Sequence, residues 1–75
     1  MFCHWGNIMT IVRRVGRNIK RVRTRRGWTQ QVLAVRAGTT RFYVAQMEAG
    51  SKQCSLEMLN RVAKALRVRP GALLD

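Results

Sequence analysis

The sequence predicts an all-α domain, a compact bundle of five helices, and three observations carry that expectation. Apolar residues recur at three- and four-residue intervals along most of the chain, the period of a helix with one buried face. Gly27, Gly38 and Gly50 stand where periodic runs end, and Thr29, Thr40 and Ser55 stand where the next runs begin. Glycine favours helix C-termini because it adopts the left-handed conformation there, and hydroxyl side chains favour N-caps because they accept from the free N–H groups of the first turn. No segment reads as a strand.

The elements follow in order. Residues 1–10, with Trp5, Gly6 and Asn7, fit no helical pattern well and are expected to form a loose tail; Met9 offers an alternative start. Residues 11–75 are expected to make one domain. Its first helix is marked by Val12, Val15, Ile19 and Val22 on one face, with Arg13, Arg14, Arg17, Lys20, Arg21 and Arg25 on the others, and it ends at Gly27. The second, over 30–37, starts at the N-cap Thr29 and buries Leu33, Ala34 and Ala37, with Trp28 packed beneath its first turn. Val32 occupies the position where a capping box places Glu or Gln, so that reinforcement is missing. The third helix, over 41–49, starts at Thr40. It turns Val44, Met47 and Glu48 inward and Arg41, Phe42, Ala45 and Gln46 to the opposite side.

After a polar loop, Ser55 caps a fourth helix whose stripe is Leu56, Leu59, Val62, Ala63 and Leu66, and Glu57 complements the dipole of its first turn. Val68 and a last turn begun by Pro70, with Leu73 and Leu74, close the domain.

Charge narrows the function. The 75 residues carry 15 Lys+Arg against 3 Asp+Glu, a net charge of +12, so the molecule attracts polyanions. Of the cations, 12 are arginine. No apolar run approaches the ~18 residues of a membrane span, and the start has neither the basic nor the long apolar region of a signal peptide. Two cysteines, Cys3 and Cys54, are too few for a disulfide framework, which points to a reducing cytoplasm. Cys3, His4 and Cys54 do not make a zinc site, because a fourth ligand and a recognised spacing are lacking. No metal or other cofactor is expected. Three acids and one histidine near the terminus supply no general acid–base pair, so an enzyme is not expected either.

The most informative stretch is 27–50, where a short helix, a glycine turn and a second short helix succeed one another. Such a pair docks its second helix in the DNA major groove. The residues on the outer side of that helix suit the task. Arg41 can donate twice to guanine O6 and N7, Gln46 can pair with adenine N6 and N7, and Phe42 and Ala45 can pack on thymine methyl groups.

Ile19 and Arg23, Thr29–Gln30, Leu33–Ala34, Gly38, Val44, Met47–Glu48, Gly50, Leu56, Leu59, Ala63, Leu66 and Val68 occur in one order and spacing. Over about residues 15–74 the chain thereby resembles the lambda-repressor-like helix-turn-helix family of the Cro or XRE type. The resemblance implies a five-helix DNA-binding domain that acts as a homodimer on a roughly palindromic operator. It implies base reading by Arg41, Phe42, Ala45 and Gln46. It also implies a phosphate contact from Gln30, which braces Arg41, and further phosphate contacts from Arg17, Thr40, Ser51, Lys52 and Gln53, with Tyr43 either reaching a phosphate or packing against the second helix. Arg23 and Glu48 are implied to form a partly buried ion pair. The chain departs from the family pattern at Cys54, where proline is frequent, at Val32, where an acid is common, and at Arg69, where a capping Ser or Asp is usual.

The expected function is therefore that of a prokaryotic or phage transcriptional regulator, a repressor, associated with the nucleoid. Two alternatives remain. An antitoxin uses the same domain to repress its own operon, and calls for an added toxin-wrapping segment and a toxin partner. A cationic RNA- or membrane-binding protein would instead show one continuous basic face, whereas the arginines here are scattered.

Overall fold

The computed structural model describes residues 4–75, with side chains from Thr10 onward. Within that span lie five helices: α1 (His4–Arg25), α2 (Gln30–Ala37), α3 (Arg41–Ala49), α4 (Leu56–Leu66) and α5 (Pro70–Leu74). The helix-bearing segments from Gln30 onward start and stop as their caps dictate. Helix α1 does not. It begins at His4, so the tail expected over residues 1–10 is, from His4 on, helical. Once a helix is nucleated, each added residue gains a hydrogen bond at little further cost, which lets α1 extend past its anchored portion despite Gly6 and Asn7. Residues 1–3 lie outside the described residues, and Cys3 with them.

The caps have the expected chemistry. The hydroxyls of Thr29, Thr40 and Ser55 accept from the N–H groups of Val32, Tyr43 and Met58, each at 3.1 Å. Gly27 takes a positive φ, and the Trp28 N–H returns to the Arg23 carbonyl at 3.1 Å, closing the end of α1. Arg69 makes no side-chain cap, as its departure from a capping residue implies; Pro70 alone favours the start of α5.

The core gathers Val15 and Ile19 from α1, Leu33, Ala34 and Ala37 from α2, Val44 and Met47 from α3, Leu59, Val62, Ala63 and Leu66 from α4, and Leu73 from α5. Helix α1 packs chiefly on α3 and α5, and α2 on α3 and α4. Leu56, expected in the buried stripe of α4, is instead 80% exposed. It stands at the first position of the helix, ahead of the turn that meets the core, so the periodic stripe outruns the packed surface. Leu74 is likewise exposed while its neighbour Leu73 is fully buried.

Two tertiary contacts set the position of α1. A Cβ on Gly16 would lie 2.1 Å from the Met47 carbonyl oxygen and 2.9 Å from that of Glu48. The backbone of α1 therefore crosses directly over the end of α3, a contact that only hydrogen permits at that position. On the other flank, the buried Asn18 amide donates to the Leu73 carbonyl at 3.0 Å, which occupies a C-terminal acceptor of α5.

Gly16→Ala should lower stability by about 3 kcal/mol, because the clash is with backbone that cannot move aside; urea unfolding measures it. Arg67, the C-cap of α4, is the only non-glycine with positive φ among the described residues. An L-residue pays about 1–2 kcal/mol in that conformation. Part is recovered from the lower entropy of its unfolded chain. Arg67→Gly should therefore raise the thermal midpoint by a few degrees, about 4–8 °C per kcal/mol for a domain of this size.

Candidate nucleic-acid interface

Local sequence sets the ends of α2 and α3 and the turn between them. Gly38 leaves α2 with φ 73°, and the Thr39 N–H returns to the Ala34 carbonyl at 2.9 Å, so the chain reverses at once. Thr40 then caps α3, which closes at Gly50 with φ 73°. One face of α3 is committed to the core: Val44 and Met47 are buried.

The opposite face is the surface the sequence predicts for base reading. Arg41 is exposed, Phe42 is 70% exposed, and Ala45 and Gln46 are half-buried beside it. Their spacing places all four on one flank. Ala49 is also exposed, four residues beyond Ala45 and seven beyond Phe42, and extends this flank by another turn. The sequence-based set of base-reading residues stops at Gln46 and omits it; the helical repeat from Phe42 and Ala45 was the signal available.

Beneath this face lies a polar network. Arg23 Nε donates to Glu48 Oε2 at 2.6 Å and Nη2 to Oε1 at 3.0 Å, the two-pronged geometry that guanidinium and carboxylate share. The side chains are only 9% and 4% exposed. Arg23 Nη1 donates to the Trp28 carbonyl at 2.7 Å. One guanidinium thus joins α1, the link before α2, and α3. The expected ion pair is present and has a third member, since Gln30 Nε2 donates to Glu48 Oε1 at 3.0 Å. This orients the half-buried Gln30 from below. Its other N–H and its Oε1 remain available to a phosphate and to a neighbouring donor.

The flanking candidates are distributed unevenly. The Thr40 hydroxyl is occupied as an acceptor by its cap but keeps its own proton to donate. Tyr43 packs against the core, with Lys52 Nζ 4.8 Å from its ring centroid. The ring thus holds the Lys52 cation beside the end of α3. The Ser51 hydroxyl points back to the Gln46 carbonyl at 3.3 Å, and Gln53 is exposed on the same loop.

Arg17 does not join them. It lines a depression with Arg14, Asn18, Arg21 and Asp75, on the side of α1 that meets α5. Besides the buried Arg23, Arg13 is an α1 cation whose stem lies against the end of α3: a Cβ on Gly50 would lie 2.9 Å from its Cγ. The sequence places Arg13 among the cations on the outer faces of the first helix and does not single it out. Which flank of α1 faces α3 is set by the crossing at Gly16, and no local pattern reports it.

Among the described residues, no group of three or more His, Cys, Asp or Glu side chains is arranged to hold a metal ion, and no helix is long and apolar enough to cross a membrane. Burial pushes the Cys54 thiol up from its ordinary pKa, which favours the neutral form.

Comparison with known proteins agrees with this geometry. Residues 14–75 match the helix-turn-helix domain family. The control protein C.BamHI of Bacillus amyloliquefaciens is 31% identical over 61 residues, covering 80% of this chain and 75% of that protein. Among solved structures, the restriction-modification controller protein C.AhdI from Aeromonas hydrophila superposes with a TM-score of 0.80 at 32% identity, over 83% of this chain and 94% of its own. A hypothetical transcription factor, NHTF, from Neisseria gives a TM-score of 0.81 at 31% identity, over 89% of this chain and 78% of its own. A family match over residues 14–75, with relatives above 30% identity across about four-fifths of the chain, assigns the family: this chain belongs to the helix-turn-helix domain family, in its Cro or XRE type.

Proposed function

We propose that this transcriptional regulator binds a two-fold symmetric operator as a homodimer and controls a promoter there, on the pattern of restriction-modification control proteins. The observation that carries the proposal is the outward flank of α3. It combines one guanidinium, one carboxamide, an exposed aromatic ring and two alanines on a helix braced by a buried ion pair. This is the set of chemistries that distinguishes base pairs in the major groove. A net charge of +12 supplies the sequence-independent attraction that brings the face to DNA. The reading places the protein in the cytoplasm with the nucleoid.

In this arrangement Arg41 and Gln46 donate to base edges, and Phe42 and Ala45 pack on thymine methyl groups. Gln30, Thr40, Ser51, Lys52 and Gln53 hold phosphates on either side of the groove, with the N–H groups at the start of α2 beside Gln30. Arg13 takes the phosphate role expected of Arg17, since its stem lies against Gly50.

The dimer contact suggested by the surface is an apolar groove bordered by Ile11, Leu56 and Leu74, which are all exposed, with Cys54 and Val12 along it. It reaches Leu74 of α5 and the loop carrying Lys52 and Gln53. A homodimer reading two half-sites needs its two α3 helices about 34–36 Å apart on one side of the pair.

Selection of bound duplexes from a random pool tests the whole reading: an inverted repeat is expected, and enrichment of no sequence overturns it. Alanine at Arg41 or Gln46 should cost about 1–3 kcal/mol toward the selected site and relax preference at one base position in each half-site. Binding to unrelated duplex should hardly change. Lys52→Ala should weaken every duplex alike and reduce the slope of log affinity against log salt by about one unit, measured by fluorescence anisotropy.

A further inference from the structure

One surface is left unexplained by DNA binding. Where α2 meets α4, Val35, Arg36, Ala37, Gly38, Arg61, Lys64 and Ala65 line a shallow depression. It shares no residue with the base-reading or phosphate-contacting sets. Its centre is the turn glycine and small side chains: Ala37 is buried and Ala65 half-buried. Arg61 lies across the turn, with Nη2 3.5 Å from where a Gly38 Cβ would be. Lys64, one helical turn further along α4, is exposed on the same side. Arg36 closes the other border, its guanidinium held 4.5 Å from the Trp28 ring centroid.

No acid answers these cations. Among the described residues the only ion pair is Arg23–Glu48, and Glu57, one turn before Arg61, forms none with it. Val35 stands at the rim, 68% exposed, although valine at that place gains nothing for α2 in solvent. A single exposed valine is ordinary. A valine beside a floor of small residues and unanswered cations is a surface with two complementary demands.

We propose that this seam is a docking site for an acidic segment of a partner protein that carries an aliphatic side chain. The carboxylates face Arg61 and Lys64, and the aliphatic group covers Val35 and the small-residue floor. A duplex backbone answers the charge but offers only small deoxyribose C–H surface to Val35, so a protein segment with an aliphatic side chain fits better than a second DNA. Because the seam and the reading face are separate, the partner and DNA bind together, which suits a regulator that must communicate with other proteins at a promoter.

The test titrates isotope-labelled protein with a short peptide of aspartate and glutamate around a central leucine, and with a matched peptide bearing serine instead. The expected result is amide shifts confined to Val35, Ala37, Gly38 and Ala65 and their neighbours. The leucine peptide should bind about ten-fold more tightly than the serine peptide, the worth of one buried aliphatic side chain. Val35→Ser should abolish that difference. The Arg61→Gln, Lys64→Gln double variant should weaken both peptides and reduce their salt dependence. Equal affinity for the two peptides, shifts spread over all the arginines, or displacement of the peptide from these amides by duplex DNA would overturn the proposal.

Discussion

The carboxylate of Glu48 is the point on which the rest of the structure turns. It is one of three acids in the chain, faces inward from α3, and is nearly sealed from water. A buried carboxylate left alone would cost several kcal/mol. Its stability depends on Arg23 arriving from α1 with two donors aligned and on Gln30 arriving from α2 with a third. Three helices must therefore hold one relative arrangement for the charge to be tolerated. Apolar packing alone accepts many small displacements of one helix against another; bidentate hydrogen bonds accept few. The network thus converts a marginally sized core into a rigid support for α3.

That support also depends on how closely α1 approaches. Gly16 lets the α1 backbone rest on the last carbonyls of α3, and Gly50 leaves room for the stem of Arg13 immediately after. The crossing fixes the rotation of α1 about its own axis. From that rotation follow the placement of Arg23 over Glu48, of Arg13 toward the end of α3, and of Arg17 away from it. Asn18 bonds Leu73 on the far flank and holds the same rotation from the other side. A helix with arginine on nearly every exposed face is thereby given distinct faces.

Charge is the cruder part of the design. Twelve positive charges in excess on so small a domain raise its affinity for any polyanion and carry no sequence information. In the proposed reading, specificity comes from the few side chains on α3, and their usefulness depends on being held at one angle. The exposed apolar residues separate by face in the same way. Phe42 lies on the reading flank, Ile11, Leu56 and Leu74 border the groove beside α5, and Val35 stands alone on the α2–α4 seam.

Much of this was legible in the chain because the signals are local. Thr29, Thr40 and Ser55 set helix starts, and Gly27, Gly38 and Gly50 set ends, since a capping hydroxyl and a left-handed residue act within a few positions of themselves. Periodicity identified the inward residues of α2 and α3, and with them the outward flank that Arg41, Phe42, Ala45 and Gln46 occupy. The pairing of Arg23 with Glu48 was reached through family resemblance, helped by the cost of an inward acid. The tertiary structure decided what periodicity leaves open: where α1 begins, that Leu56 falls outside the packed stripe, that Gln30 serves Glu48, and which arginine stands beside α3. A repeat of apolar residues specifies that a helix has a buried side, but the extent of burial and the neighbours of each cation depend on how closely two backbones approach. Here that distance was set by a single hydrogen atom at Gly16.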